Sequence, residues 1–176
     1  MQKLKNWAAV AGIIRIGLNH INHFATHHIK LHDKMKTKWH KMYLDICDRI
    51  ADESHAVRLK VGAVFVSPDG VMSIGINGLP ANRSNDCEEE IDGALVTRNE
   101  VSHAEANALG KMLYQGVAAK NGIMFINFAP CIQCAKLMVV AGIIEVVYRR
   151  DYKGTDGIEW LVKNNVKCYK ENHANF

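Results

Sequence analysis

Two short segments of the chain contain side chains of the types that bind metal ions, and a shared metal site would require the two segments to fold close together. One reads His-Ala-Glu and the other Pro-Cys-Ile-Gln-Cys, and their metal-binding residues are His103, Cys131 and Cys134. A catalytic zinc takes three protein ligands and keeps one position open for water. Bound zinc lowers the pKa of that water, and a nearby carboxylate must then carry the proton. Glu105 is predicted to be that carboxylate and not to bind the metal itself.

Each half of this pattern also has a more ordinary interpretation. A Cys-x-x-Cys pair alone is often a structural zinc knuckle or a redox pair, and a lone histidine is usually a surface or packed residue. The combination is far more specific than either half. Both halves also begin helix-like stretches, at residues 104–114 and 131–141, and two converging helix starts favour thiolates. We therefore predict one catalytic Zn²⁺ per chain.

Length and composition indicate an ordinary globular protein. The chain has 176 residues, of which 48% are hydrophobic, so it is long enough for a normal core. It contains no uninterrupted apolar run of about eighteen residues, so we expect no transmembrane helix and no membrane partner. Of the five cysteines, two are assigned to the metal. An odd number of cysteines fits a reducing cytoplasm better than a disulfide framework.

Charge is distributed unevenly along the chain. Residues 1–41 hold eight Lys or Arg and one acidic residue, a net charge of +7, whereas residues 42–176 hold fourteen basic and seventeen acidic residues, a net charge of −3. A mildly acidic body argues against a groove that tracks a nucleic-acid backbone, so we expect no nucleic-acid partner. It remains compatible with one small phosphate bound by a few local groups.

The basic N-terminal part is predicted to be an extension of unclear role. Residues 1–40 contain six of the nine histidines. A second metal site there is conceivable, but a polar stripe on a peripheral segment is the favoured interpretation. We place the boundary so that residues 1–34 form this basic, His-rich extension and residues 35–176 form the catalytic domain.

The body alternates between helical and extended patterns, which predicts an α/β fold with a mixed sheet and helices on both faces. Predicted helices cover about 39–51, 103–115, 131–141 and 156–164, and predicted strands cover 61–66, 71–77, 123–127, 145–148 and 166–170. The polar stretch 80–100 is expected to form a long loop or lid.

From about residue 38 to 169 the chain resembles the deoxycytidylate (dCMP) deaminases, especially phage-type members, within the zinc-dependent cytidine/deoxycytidylate deaminase family. The resemblance lies in residues 58–64 (RLKVGAV), 75–80 (GINGLP), 103–108 (HAEANA), 130–136 (PCIQCAK) and 141–148 (AGIIEVVY). It implies a three-layer α/β/α fold and hydrolysis of dCMP to dUMP and ammonia for thymidylate synthesis. It also implies a homo-oligomer, with a hexamer favoured, and control by dCTP and dTTP with Mg²⁺.

The resemblance and the side-chain chemistry together give candidate substrate contacts. Asn77 offers a donor and an acceptor to a sugar hydroxyl or base edge, although a turn residue before Gly78 would look the same. Tyr152 and Arg58 are candidates for the phosphate, and Ala104 is placed at the substrate beside the metal ligand. Ordinary loop packing and a surface ion pair are the respective alternatives for Tyr152 and Arg58.

Some alternatives stay open. The chain could deaminate another free cytosine nucleoside or nucleotide, or it could be a catalytically idle zinc- and nucleotide-binding module, although Glu105 argues against the latter. Cys47 and Cys87 could contribute to a second, structural zinc, but no third and fourth ligand stand out. We expect a cytoplasmic enzyme, in the host cytoplasm if the source is viral.

Overall fold

The computed structural model describes residues 37–171 of the chain, so the predicted extension at residues 1–34 lies outside the described part. The elements in chain order are helix α1 (Thr37–Ala51), strands β1 (Gly62–Val66), β2 (Met72–Ile76), β3 (Glu88–Ile91) and β4 (Ala94–Thr97), helix α2 (Ala104–Tyr114), strand β5 (Ile123–Phe128), helix α3 (Ile132–Ala141), strand β6 (Glu145–Arg150), helix α4 (Asp156–Lys163) and strand β7 (Lys167–Lys170).

The central sheet has five strands in the order β2-β1-β5-β6-β7. Strand β1 runs antiparallel to both β2 and β5, whereas β5, β6 and β7 run parallel to one another. Every residue of β1 is buried, because its apolar run Gly-Ala-Val-Phe-Val has helices on both faces. Antiparallel and parallel pairs in one sheet confirm the predicted mixed topology.

Alternate residues of the inner strands face two different helical layers. On one face, the ring of Phe125 lies 4.8 Å from that of Tyr43 on α1, and the Cys47 thiol donates a hydrogen bond to the Phe125 carbonyl. On the other face, Met124 and Ile126 belong to one buried cluster with side chains of α2, α3 and α4. The three-layer α/β/α arrangement is therefore confirmed.

Two glycines let the site-bearing segments lie close to their neighbours. A Cβ added to Gly75 on β2 would lie 2.1 Å from the carbonyl oxygen of Ala104, the first residue of α2. A Cβ added to Gly157 on α4 would lie 2.1 Å from the carbonyl oxygen of Pro130, just before α3. Neither contact leaves room for a Cβ atom. Glycine at these two positions therefore allows β2 and α4 to approach the starts of α2 and α3.

The prediction of a long loop at residues 80–100 was wrong in part. This stretch contains a separate antiparallel hairpin, β3–β4, in which Glu88 pairs with Thr97 and Ile91 pairs with Ala94. The turn is formed by Asp92 and Gly93, both with positive φ (52° and 75°). An Asp-Gly pair is a strong hairpin signal because a two-residue turn of this type needs positive φ at both positions.

Neither a disulfide nor a membrane-spanning helix occurs in the described residues. All five cysteines are free. No helix within residues 37–171 combines the length and apolar character needed to cross a bilayer.

Candidate active site and metal centre

The three predicted zinc ligands come from the starts of two helices. His103 and Cys131 are the residues immediately before α2 and α3, both with extended backbone (φ −73°, ψ 154° and φ −72°, ψ 165°). Neither side chain caps its own helix, so both are available to bind an ion. Cys134 follows in the first turn of α3, and it is buried.

These donor atoms converge as a metal site requires. His103 Nδ1 lies 3.2 Å from Cys134 Sγ and 3.4 Å from Cys131 Sγ. All three donor atoms lie within 4.8 Å of one another. Tetrahedral zinc with Zn–N and Zn–S bonds of about 2.0–2.3 Å separates its ligand atoms by about 3.3–3.8 Å. One imidazole and two thiolates at this spacing fit a zinc ion that keeps a fourth position open.

Hydrogen bonds among the ligands prepare a thiolate. The Cys134 thiol and the His103 ring donate to Cys131 Sγ and lower its pKa to about 3, although burial opposes this. The same interaction with Cys131, together with burial, raises the pKa of Cys134. The hydrogen bond to Cys131 also raises the pKa of His103. These contacts therefore favour the thiolate form of Cys131, and the thiolate is the form of cysteine that binds a divalent cation.

Glu105 is a buried carboxyl group in the same pocket. It lies in the first turn of α2, with only 4% of its surface exposed. Burial raises its pKa, and the nearby positive charge of His103 opposes that rise only in part. A carboxyl group whose pKa is shifted toward neutrality can accept a proton and release it again within one reaction cycle.

The pocket around these groups has apolar walls and a few polar side chains, and its volume is about 100 Å³. Its lining residues are Leu59, Val61, Asn77, Thr97, Val101, His103, Ala104, Glu105, Phe128, Ala129, Cys131 and Tyr152. Apolar walls with few convergent polar groups are typical of sites for small planar ligands. The predicted residues Asn77, Ala104 and Tyr152 therefore share the pocket with His103, Glu105 and Cys131.

Asn77 reaches the pocket with most of its hydrogen-bonding capacity already used. Its Oδ1 accepts from the Val61 amide (2.8 Å) and from the Ser54 hydroxyl (2.8 Å), and its Nδ2 donates to the Leu59 carbonyl (2.8 Å). A side-chain amide has two acceptor sites and two N–H donors. Asn77 therefore has one N–H left for a ligand, whereas the sequence analysis expected it to offer both a donor and an acceptor.

Arg58 lies outside the pocket lining but contacts it. Its Nη1 donates to the hydroxyl of Thr97, a lining residue, over 2.9 Å. The structure therefore connects Arg58 to the site through a residue that the sequence analysis did not select.

The sequence analysis did not predict several of the residues that line or support the pocket. Thr97 and Val101 belong to or follow the hairpin, and the Asp-Gly turn at residues 92–93 is the signal that would have located it. Phe128 ends β5, and nothing in the sequence distinguishes it from a core aromatic. Ser54, which is 2% exposed, supports Asn77 through a contact 23 residues along the chain, and no sequence pattern marks it.

A second zinc at Cys47 and Cys87 finds no support in the described residues. Cys47 binds the Phe125 carbonyl beneath α1, while Cys87 packs in a separate small cluster with Ala56 and Val101. Among residues 37–171, the sole group of metal-binding side chains that meets the spacing of a metal site is the one already described.

Comparisons with known proteins agree with this site. Residues 37–150 match the cytidine and deoxycytidylate deaminase zinc-binding region. The deoxycytidylate deaminase of Mycobacterium phage D29 is 34% identical over 125 residues, covering 64% of this chain and 95% of the phage protein. The deoxycytidylate deaminase of Schizosaccharomyces pombe is 27% identical over 133 residues, covering 68% of this chain but only 39% of the yeast protein.

The fold has counterparts among solved structures. One is the crystal structure of the dCMP deaminase from cyanophage S-TIM5 in complex with dCMP and dUMP. Its chain is 34% identical to this one with a TM-score of 0.72, and the alignment covers 78% of this chain and 99% of the cyanophage chain. The match over residues 37–150, together with the converging ligands and the buried carboxyl group, shows that this chain belongs to the zinc-binding cytidine and deoxycytidylate deaminase family.

Proposed function

We propose that this chain hydrolyses dCMP to dUMP and ammonia. The observation that carries the proposal is the meeting of His103, Cys131 and Cys134 with the buried Glu105 in one pocket. The phage relative and the cyanophage complex support dCMP as the substrate, since both proteins are dCMP deaminases. An idle binding module would have no need of a buried carboxyl group at the metal centre, because burying it is costly.

The residues of this chain would divide the chemistry between them. His103, Cys131 and Cys134 would hold Zn²⁺, which supplies a water nucleophile near neutral pH. Glu105 would take a proton as water attacks the ring carbon that bears the amino group. It would pass that proton to ring N3, would then take the second proton from the hydroxyl group now bound to that carbon, and would give it to the departing amine. One water is consumed and one ammonia leaves, so the carboxyl group returns to its starting state.

Candidate contacts with the nucleotide follow from the pocket lining. The single uncommitted N–H of Asn77 would donate to a sugar oxygen, and the Tyr152 hydroxyl would face the phosphate. Ala104 has no functional side chain, so it would contribute only backbone and close packing against the base. Arg58 carries the positive charge that a phosphate requires.

The decisive test of this proposal compares substrates. Purified zinc-loaded protein should convert dCMP with a kcat/KM at least about 10²-fold above that for deoxycytidine, because a lost phosphate leaves charged donors without a partner. Cytidine monophosphate and cytosine are the matched controls for the sugar and for the whole nucleotide. A preference for deoxycytidine would assign the chain to nucleoside deamination, and no conversion of any of them would leave an idle zinc module.

Assembly and control are further parts of the proposal. Tyr114 at the end of α2 is 98% exposed and Val140 on α3 is 86% exposed. These exposed side chains are available for a contact with a second copy, and we propose a homo-oligomer such as a hexamer. We also propose control by dCTP and dTTP with Mg²⁺ and action in the cytoplasm, which for a phage enzyme would be that of the host.

The N-terminal extension is proposed to be dispensable for the chemistry. The predicted site residues all lie between Arg58 and Tyr152, and the family match begins at residue 37. A chain that starts at Met35 should deaminate with a similar kcat. A folded but inactive truncation would show that the extension completes the site or the assembly.

A further inference from the structure

Thr97 occupies a distinctive position on the pocket wall. It ends strand β4 and lines the pocket together with Asn77 and Tyr152. Its hydroxyl oxygen accepts a hydrogen bond from Arg58 Nη1 at 2.9 Å. Because a hydroxyl group can donate one bond while it accepts another, the Thr97 proton is still available to a ligand in the pocket.

The Arg58 guanidinium that contacts Thr97 forms no salt bridge within residues 37–171. Within residues 37–171, Arg49, Arg98, Arg149 and Arg150 all form salt bridges with Asp or Glu. Arg58 forms no side-chain salt bridge in that part of the chain, and its described side-chain bond is to the neutral Thr97 hydroxyl. Only one of its five N–H donors is used in that bond.

The β3–β4 hairpin holds Arg58 and Thr97 in place through Glu88. Glu88 pairs with Thr97 across the two strands, and its carboxylate accepts hydrogen bonds from the backbone amides of Val57 (3.1 Å) and Arg58 (3.2 Å). The carboxylate is thereby engaged by the backbone at Arg58, while the Arg58 side chain extends to Thr97. This arrangement preorganises a cation and a hydroxyl donor side by side, which lowers the entropic cost of binding.

We propose that Thr97 is a specificity-determining residue whose hydroxyl, together with the Arg58 guanidinium, receives the phosphate group of the substrate. The ligand class is a phosphomonoester, here the 5′-phosphate of a nucleotide, so the inference rests on the proposed function. Arg58 supplies the charge and Thr97 supplies both the anchor for that charge and a second donor. Paired donors of this kind are well suited to phosphate oxygens.

The test uses Thr97→Val, which keeps the shape of the side chain and removes the hydroxyl. The measured quantity is the ratio of kcat/KM for dCMP to kcat/KM for deoxycytidine, in zinc-loaded protein. We expect Thr97→Val to lower this ratio about tenfold, because a hydrogen bond to a charged group is lost. Thr97→Ser should restore the ratio to within about threefold of wild type. Thr155→Val, at an exposed threonine before α4, is the matched control and should leave the ratio unchanged.

A double-variant cycle distinguishes a phosphate site shared by Arg58 and Thr97 from a purely structural role of these residues in the pocket wall. If both residues serve one phosphate, Arg58→Gln with Thr97→Val should lower the ratio little more than Arg58→Gln alone. Equal losses for both substrates in Thr97→Val, or an unchanged ratio, would contradict the inference while leaving dCMP deamination in place. A wild-type ratio near one would instead contradict the nucleotide-level function itself. Zinc content and far-ultraviolet circular dichroism show whether each variant is folded.

Discussion

The part of the pocket proposed to bind the metal (the metal side) and the part proposed to receive the nucleotide (the nucleotide side) are built in different ways. The metal side consists of His103, Glu105, Cys131 and Cys134, all placed at the first turns of two helices. The nucleotide side consists of Asn77, Thr97, Tyr152 and the adjoining Arg58, which come from a strand end, a hairpin and loops. The first set is positioned by short segments of chain and two helix starts. The second set depends on hydrogen bonds between residues far apart in sequence.

The bonds that hold the nucleotide side illustrate the difference. Glu88 reaches the Val57 amide across 31 positions, and Arg58 reaches Thr97 across 39. Asn77 is held by Ser54 and by the backbone of residues 59–61. A change on the metal side should therefore remove the chemistry, and a change on the nucleotide side should weaken recognition while the chemistry persists.

The largest effect is expected from the metal ligands. Cys134→Ser or Cys131→Ser should lose tight zinc and reduce deamination to the uncatalysed level, because two remaining protein ligands hold the ion poorly. The measurement is the amount of zinc per chain after dialysis, which should be close to one in the wild type. Cys168→Ser on β7 is the control and should keep both zinc and activity. Unchanged zinc in both ligand variants would overturn the assignment.

The next largest effect is expected from Glu105, whose replacement should stop proton transfer without removing the metal. Glu105→Gln should keep zinc and fold but lose about 10²–10⁴-fold in kcat, because the amide cannot carry a proton. Single-turnover rates and zinc content together are the measurement. A variant that keeps more than about a tenth of the wild-type rate would show that another group moves the proton.

A smaller effect is expected at the support of the nucleotide side. Glu88→Gln keeps one acceptor but loses the charge that engages the Val57 and Arg58 amides. KM for dCMP should rise about three- to tenfold with little change in kcat, since the loss amounts to about 1 kcal/mol. Glu90→Gln, at an exposed position on the same strand, is the matched control. A kcat loss that exceeds the KM change would mean that the hairpin also positions the chemistry.

The smallest effect on activity, and a clear one on stability, is expected at Asp48, which is not part of the pocket lining. Asp48 on α1 binds Arg149 and Arg150 of β6. Partial burial raises the pKa of Asp48, but the hydrogen bonds from Arg150 and Arg149 outweigh it and hold the pKa below its usual range. A carboxyl group with a lowered folded-state pKa stabilises the fold above its unfolded pKa, and this contribution is lost as the pH falls through the folded pKa.

Asp48→Asn should accordingly lower the free energy of unfolding by about 1–2 kcal/mol at pH 7, with kcat and KM unchanged. The difference from wild type should begin to shrink near pH 4, where Asp48 of the unfolded chain takes up a proton, and it should vanish only below the lowered folded-state pKa, where Asp48 is protonated in both states. Urea unfolding at several pH values measures this, with the exposed Asp52→Asn as control. A difference that stays constant from pH 7 to pH 3 would mean that packing, and not charge, is responsible.

The sequence alone determined the layered α/β fold, and it also predicted the metal ligands and the proton carrier. Ligands at helix starts are visible because the residue types and their spacing are local, and helical and extended periodicities are local as well. The family resemblance drawn from the same residues is confirmed by the match over residues 37–150. The positions of Asn77 and Tyr152 at the pocket agree with the expectation, while their roles remain predictions.

Only the tertiary structure decided how the nucleotide side is assembled. No local pattern connects Ser54 with Asn77, Glu88 with the Val57 amide, or Arg58 with Thr97, because each contact forms only after the sheet, the hairpin and the loop have come together. The hairpin itself was readable from its Asp-Gly turn, but its place against the pocket was not. Polar contacts between segments far apart in sequence form only in the folded protein. For this reason the hydrogen bonds of the nucleotide side could not be predicted from the sequence.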